Sequence, residues 1–199
     1  MTHGPSGLIE LGESTSFGLI ARLKLRDAEA WRRTTRLYAP LVFRWTRRAG
    51  VRESDAADVT QDVFHAVARH IDGFRNDAPG STFRGWLYTI ARNKLYDHFR
   101  RQAGDRGAVG GTDALQQIQE LPATPPDGEE GEAEQSDLAR RAMALLQSDF
   151  QPATWQAFWA TAVDNRPAAE VAANLGISLA AVYKAKSRVL ARLRQELGS

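Results

Sequence analysis

The sequence predicts an all-α protein: two small helical domains joined by a flexible acidic linker, the C-terminal one a helix-turn-helix. Three observations predict it. Apolar side chains recur at three- and four-residue spacing through residues 17–101 and again through 138–199. Between them, residues 102–137 are rich in glycine and proline (Gly104, Gly107, Gly110, Gly111, Pro122, Pro125, Pro126, Gly128, Gly131) and poor in apolar side chains. Near the end, PAAEVAANLGISLAAVYKAKSRVL at residues 167–190 carries the apolar register of a helix-turn-helix.

Composition narrows the function classes. The 199 residues suffice for one or two domains, each with its own core. The absence of cysteine excludes disulfides and thiolate metal or nucleophile sites, and fits a reducing cytosol. No apolar run approaches the ~20 residues needed to span a bilayer, and MTHGPSGLIE lacks the basic start and apolar core of a secretory signal. The expectation is a cytoplasmic protein without membrane insertion. The formal net charge of +2 hides an asymmetry. Residues 1–107 carry 18 Lys and Arg against 12 Asp and Glu; residues 108–137 carry none against 8; residues 138–199 carry 8 against 4. Two basic blocks flank an acidic strip, which favours nucleic acid as the partner of the blocks.

Taken in order, residues 1–16 are Gly- and Ser-rich and form a mobile tail. A short helix follows from Ser16 to Leu25, with Leu19, Ile20 and Leu23 on one side. Asp27 caps a second helix burying Ala30, Trp31, Thr34, Leu37 and Tyr38; Pro40 kinks or divides it, and Leu41, Val42, Phe43 and Trp45 continue its core as far as Gly50. A third helix starts at Ser54 or Asp55 and buries Val59, Val63, Phe64, Val67 and Ile71. Asp55, Asp58 and Asp62 share one edge of it, with Gln61 beside them. Helix-dipole stabilisation accounts for Asp55 and Asp58 but not for Asp62, two turns in. An acidic ridge on a basic domain suits docking of a basic protein partner.

After the turn-rich loop FRNDAPGS, Ser81 or Thr82 caps a fourth helix, STFRGWLYTIARNKLYDHFRR. Phe83, Trp86, Leu87, Ile90, Ala91 and Leu95 form its core stripe. Arg84, Tyr88, Arg92, Asn93, Lys94, Arg100 and Arg101 lie between them, without a metal-ligand pair or a nucleophile–base pair. Cations interleaved with flat rings suit an anionic, stackable partner such as opened DNA; a solvated basic helix is the alternative.

Beyond the linker, Ser136 caps a helix over 137–147, followed by helices at 152–163, 167–175 and 179–197, with Pro152 and Pro167 at first helical positions. Trp155, Phe158 and Trp159 are core by spacing. Ala172 is small where two helices cross, Gly176 takes the left-handed turn, Ile177 and Val182 close the core, and Ser178 caps the recognition helix. Ala180, Tyr183, Lys184, Ser187 and Arg188 then point outward, and Lys184, Lys186, Arg188, Arg192 and Arg194 add the charge that DNA binding needs.

In this order the pieces resemble the extracytoplasmic-function (ECF) sigma factors, the smallest group of bacterial RNA polymerase specificity subunits. DAADVTQDVF at 55–64 and FRGWLYTIARNKLYDHFRR at 83–101 resemble the family's region two, and EVAANLGISLAAVYKAKSRVLARL at 170–193 its region four. The resemblance implies that Asp55, Asp58, Gln61, Asp62 and Phe64 grip the clamp helices of the polymerase β′ subunit. It implies that the loop with Arg75 and Asn76, together with Phe83, Arg84, Trp86, Tyr88, Arg92, Asn93 and Lys94, opens and reads the minus-ten element, with a flipped base held in a pocket. Ser178, Ala180, Tyr183, Lys184, Ser187 and Arg188 would read the minus-thirty-five element in the major groove. The implied partners are core RNA polymerase through its β′ clamp and β subunits, promoter DNA and an anti-sigma factor, with no cofactor, metal or catalytic residue. Tyr183 stands where the family often carries arginine, and VDNRPAAEVA and the Trp155–Trp159 segment are less typical, so the second domain is the weaker half of the likeness.

A coil the length of the linker averages ~35 Å end to end and reaches ~120 Å stretched, whereas promoter elements two helical turns apart need roughly 70 Å. By resemblance, the polymerase cleft would hold it extended in the path of the nascent RNA. Two other classes compete. A stand-alone helix-turn-helix regulator would dimerise through its first domain, and an acidic ridge suits an apolar dimer interface poorly. A metal-dependent nuclease would have to rely on Asp58, Asp62 and His65, which no second acidic cluster completes.

Overall fold

The first helices follow from their caps and apolar stripes. The computed structural model describes residues 18–75, 81–105 and 120–197, and all regular structure among them is helical. The N-terminal tail lies outside the described residues. Helix α1 (Leu19–Lys24) buries Leu19 and Leu23. In α2 (Ala28–Arg48) the Asp27 carboxylate accepts from the Glu29 and Ala30 amides, both at 2.9 Å. This helix runs through Pro40 as one element rather than dividing there. Pro40 and Arg36 are both exposed, so the Arg36 carbonyl that proline deprives of a partner faces water. Gly50, at φ 86°, ends the turn after α2.

Helix α3 (Glu53–His70) begins one residue ahead of the expected start and passes into a 3₁₀ turn at Ile71–Gly73. Helix α4 (Phe83–Asp105) is capped by Thr82, whose hydroxyl accepts from the Gly85 amide at 3.1 Å. It buries Phe83, Leu87, Tyr88, Ala91, Leu95 and Phe99. Tyr88 therefore belongs to the core, against the expectation that placed it on the polar face. Its ring stands edge-on to Trp45 of α2, at 5.0 Å and 88°, a pairing between helices that no spacing within α4 encodes.

Helix α5 (Gly128–Leu146) starts well before Ser136. Residues 128–137, read from sequence as linker, are helical because Gly131, Glu134, Leu138, Ala142 and Leu146 form one buried stripe. A 3₁₀ turn at Gln147–Asp149 leads to α6 (Pro152–Ala162) with proline at its start; α7 (Ala168–Leu175) has Pro167 as its cap residue, one position earlier than expected, and α8 (Leu179–Glu196) follows. Trp155 and Phe158 are buried as their spacing predicts, whereas Trp159 is half-exposed.

Ala157, Val171, Ala172, Val182 and Ala185 form a small core inside the α6–α8 unit. A larger core joins both ends of the chain. Leu138, Ala142, Leu146, Trp155, Phe158, Val189 and Leu193 pack with Leu37, Tyr38, Leu41, Val42, Phe83 and Leu87. Helix α5 lies against both α2 and α8. Polar contacts close the same seam. Tyr38 donates its hydroxyl to the Leu197 carbonyl at 2.9 Å, Arg33 bridges Glu196 and Asp149, both at 2.9 Å, and Arg44 pairs with Asp137 at 2.7 Å.

Candidate nucleic-acid and partner interface

The acidic ridge forms because α3 buries Val59, Val63 and Val67 and turns its other edge outward. Asp58 and Gln61 are exposed, and Asp62 makes a long 3.7 Å pair with Arg101 across to α4. Asp55 accepts from Ser54 and Arg52, both at 2.8 Å; the hydroxyl, then the guanidinium, hold its carboxyl below the usual carboxylate range. Phe64 is half-buried against the main core, so it anchors the ridge to the fold. Among the described residues no group of three or more His, Asp or Glu has metal-binding geometry.

The expected minus-ten residues separate into three environments. Phe83 is fully buried, edge-on to Tyr38 at 5.1 Å and to Phe74 at 5.7 Å. Trp86 is half-buried and tilts against Phe74 at 5.1 Å. Phe74 and Trp86, together with Gly73, Arg75, Ser81, Thr82 and Gly85, line a shallow pocket of about 410 Å³. Further along α4, Asn93 is exposed, Lys94 pairs with Asp97 at 3.6 Å, and Arg92 folds over Tyr96, 4.9 Å from the ring centroid and 2.7 Å from its hydroxyl. Arg84 and Tyr88 lie under the chain that enters α5. Arg84 Nη2 donates to Glu134 Oε2 at 2.6 Å, and the Tyr88 hydroxyl donates to the Pro122 carbonyl at 3.2 Å. Burial raises the Tyr88 phenol above its ordinary value. Asn76 lies outside the described residues.

The recognition helix follows its predicted register throughout. Gly176 sits at φ 63°, ψ 31°, and the Ser178 hydroxyl accepts from the Ala181 amide at 3.1 Å. Val182, Ala185 and Val189 turn inward, leaving Ser178, Ala180, Tyr183, Lys184, Ser187 and Arg188 all exposed. Of the basic cluster, Arg192 is drawn into the seam, 3.2 Å from Glu196 and 3.8 Å from Asp149. An exposed helix bearing two cations, two hydroxyls and a phenol at its N-terminal half can meet both base edges and phosphates.

Known proteins resemble both halves. The Sigma-70 region 2 family matches residues 35–104. The RNA polymerase sigma factor CnrH of Cupriavidus metallidurans is 32% identical over 158 residues, which is 74% of this chain and 75% of that one. The ECF RNA polymerase sigma factor SigE of Mycolicibacterium smegmatis is 29% identical over 84% of this chain and 62% of its own length. The RNA polymerase sigma factor NccH of Alcaligenes xylosoxydans xylosoxydans is 28% identical over 94% of this chain and 96% of its own. The chain belongs to the ECF sigma factors.

In this sigma factor one densely bonded side chain is hidden by composition. Glu134 is fully buried, and its carboxylate accepts from Trp45 Nε1 at 3.1 Å, Arg48 at 2.7 Å and Arg84 at 2.6 Å. Local patterning would assign it to the solvated acidic strip. A signal for it does exist: Glu134, Leu138, Ala142 and Leu146 repeat every four residues, so the apolar stripe of α5 extends one turn back onto a carboxylate. Nothing in sequence marks Trp45 and Arg48 as its partners, since they lie 89 and 86 positions away.

Proposed function

We propose that this sigma factor binds core RNA polymerase and directs it to promoters, with α8 reading a minus-thirty-five element and α4 with the preceding loop reading and opening a minus-ten element. The observation that carries this reading is the recognition helix: six side chains singled out from sequence occupy its one exposed face. Lys184 and Arg188 would meet phosphates, and Ser178, Ala180 and Tyr183, nearer the helix start, would meet base edges. The acidic ridge of Asp55, Asp58, Gln61 and Asp62, backed by Phe64, is the proposed dock for the β′ clamp, because complementary charge speeds and orients such encounters. The pocket beside Trp86 would take an unstacked base, and Arg92, Asn93 and Lys94 would steer the strand. Region two would span residues 17–101 and region four 138–199, with α5 carrying helix back to Gly128 and the strip before it stretched through the polymerase. An anti-sigma protein is a further partner under this reading, and the cytoplasm the compartment. No helix among the described residues is long and apolar enough to cross a membrane.

The deciding experiment is transcription in vitro with core polymerase on a promoter library. Start-site-specific transcripts that depend on this protein support the reading. Their absence, with tight binding of duplex DNA by the protein alone, would instead support a stand-alone regulator.

A further inference from the structure

The corner between α1 and α2 carries a residue that its own turn does not favour. Arg26 sits at φ 58°, in the left-handed region that glycine enters freely and a residue with a Cβ enters at a cost. The turn is a Schellman motif: the Arg26 amide donates to the Leu23 carbonyl at 3.0 Å and the Asp27 amide to the Arg22 carbonyl at 3.1 Å. Glycine would make both bonds without strain. What arginine adds is its side chain. Arg26 Nη1 donates to the Ala68 carbonyl at 3.0 Å, in the last turn of α3, and Nη2 to the Asp72 carboxylate at 2.7 Å, in the 3₁₀ turn that follows. Both side chains of this ion pair are more than half exposed, so it adds little to stability. Two positions back, the half-buried Lys24 donates from Nζ to the Phe74 carbonyl at 2.8 Å. Three contacts from one corner thus span the exit of α3, from Ala68 to Phe74.

That exit leads straight into the pocket wall. Phe74 is buried, its ring tilted against Trp86 at 5.1 Å and edge-on to Phe83 at 5.7 Å, while Lys24 holds its carbonyl. Arg75 follows on the rim, and its carbonyl accepts from the Ser81 hydroxyl at 2.9 Å. We propose that Lys24 and Arg26 are positioning residues for base capture: from the α1–α2 corner they fix the chain from Ala68 to Phe74, and so set how selectively the Phe74–Trp86 pocket holds an unstacked base. This rests on the minus-ten role proposed for that pocket. A stacked base gains only where its platform stands at contact distance, and a gap of about 1 Å forfeits up to half of each contact. Phe74 supplies one wall from the α3 exit and Trp86 another from α4, so a shift of that exit moves one wall against the other. The strain at Arg26 fits the same account, since strained backbone persists where surrounding contacts hold it and where its geometry is used. Lys24 and Arg26 aim these donors at the protein itself, which sets the role apart from a phosphate contact.

The test uses holoenzyme reconstituted from core polymerase and the full chain. Its probe is a dye-labelled single strand carrying the non-template minus-ten region of a promoter that the holoenzyme transcribes, intact or with one abasic site moved through the element. With the wild-type protein, one abasic position should cost on the order of tenfold in affinity, the measure of one stacked base. Arg26→Gly removes the side-chain bonds and suits the turn, whereas Lys24→Met keeps the aliphatic stem and removes the donor. Each is expected to shrink the abasic factor to about threefold, with affinity for core polymerase unchanged and the thermal midpoint of Arg26→Gly held or raised. Lys24→Arg restores a donor and should recover the wild-type factor. An abasic factor unchanged in both Arg26→Gly and Lys24→Met overturns the positioning role. So does a uniform loss on intact and abasic strands with a salt slope reduced by about 1, the mark of a direct phosphate contact. If no promoter is transcribed, or no abasic position matters to the wild-type protein, the pocket reading fails and the positioning role falls with it. The wild-type arm therefore tells the two failures apart.

Discussion

Arg84 and Glu134 are fifty positions apart, yet their side chains meet at 2.6 Å across the seam between α4 and α5. The Arg84 side chain is mostly enclosed and also lies over the Trp45 ring, 5.9 Å from its centroid. One guanidinium thus links α2, α4 and α5. Arg84→Met keeps the bulk of the side chain but leaves the Glu134 carboxylate short of a donor. We expect it to lower stability by about 2 kcal/mol, measured by urea unfolding followed by circular dichroism.

Tyr38 gives the stability a pH dependence of known sign. It is buried, and desolvation, with the nearby Glu196 charge, raises its phenol well above the ordinary value of 10.0. A raised folded value means that the folded chain keeps the proton after the unfolded chain has lost it. This contribution is complete below pH ~10 and falls away as the pH rises beyond it, by up to about 1.4 kcal/mol per pH unit. Tyr38→Phe should lose about 1 kcal/mol at neutral pH with its bond to Leu197 and show a shallower alkaline fall. Parallel unfolding curves between pH 8 and 11 check both.

Gly176 holds the helix-turn-helix corner at φ 63°, and an added Cβ there would meet no atom within 4 Å. The penalty of Gly176→Ala is therefore backbone strain alone, about 1 kcal/mol. Thermal unfolding should report that loss, and promoter activity should fall more through its upstream element than through its downstream one.

The exposed ridge on α3 separates docking from folding. Asp58→Lys combined with Asp62→Lys removes two outward charges and the long pair to Arg101, so the unfolding midpoint should scarcely move. Affinity for core polymerase should fall about tenfold or more through reversed electrostatic steering. Core binding that survives at low salt would place the dock elsewhere.

On α8, Lys184→Ala should weaken binding of promoter DNA by polymerase holoenzyme across all upstream sequences and reduce the salt slope by about 1. Tyr183→Arg should change which upstream sequence is preferred. A Tyr183→Arg variant with an unaltered preference would remove Tyr183 from the reading surface.

Periodicity and capping chemistry determined much of this protein directly. The helices, the inward faces of α2, α3 and α8, the Thr82 and Ser178 caps, the Gly176 turn and the outward recognition residues all depend on neighbours within four or five positions. Tertiary structure decided what depends on distant partners. Tyr88 became a core ring because Trp45 stands across from it, and residues 128–137 became helix because α2 and α8 offer α5 a surface to cover. Glu134 is buried rather than solvated because Arg48, Arg84 and Trp45 converge on it from two other helices. A charge in a glycine-rich strip has no local reason to leave water; only donors brought together by the fold can replace its hydration.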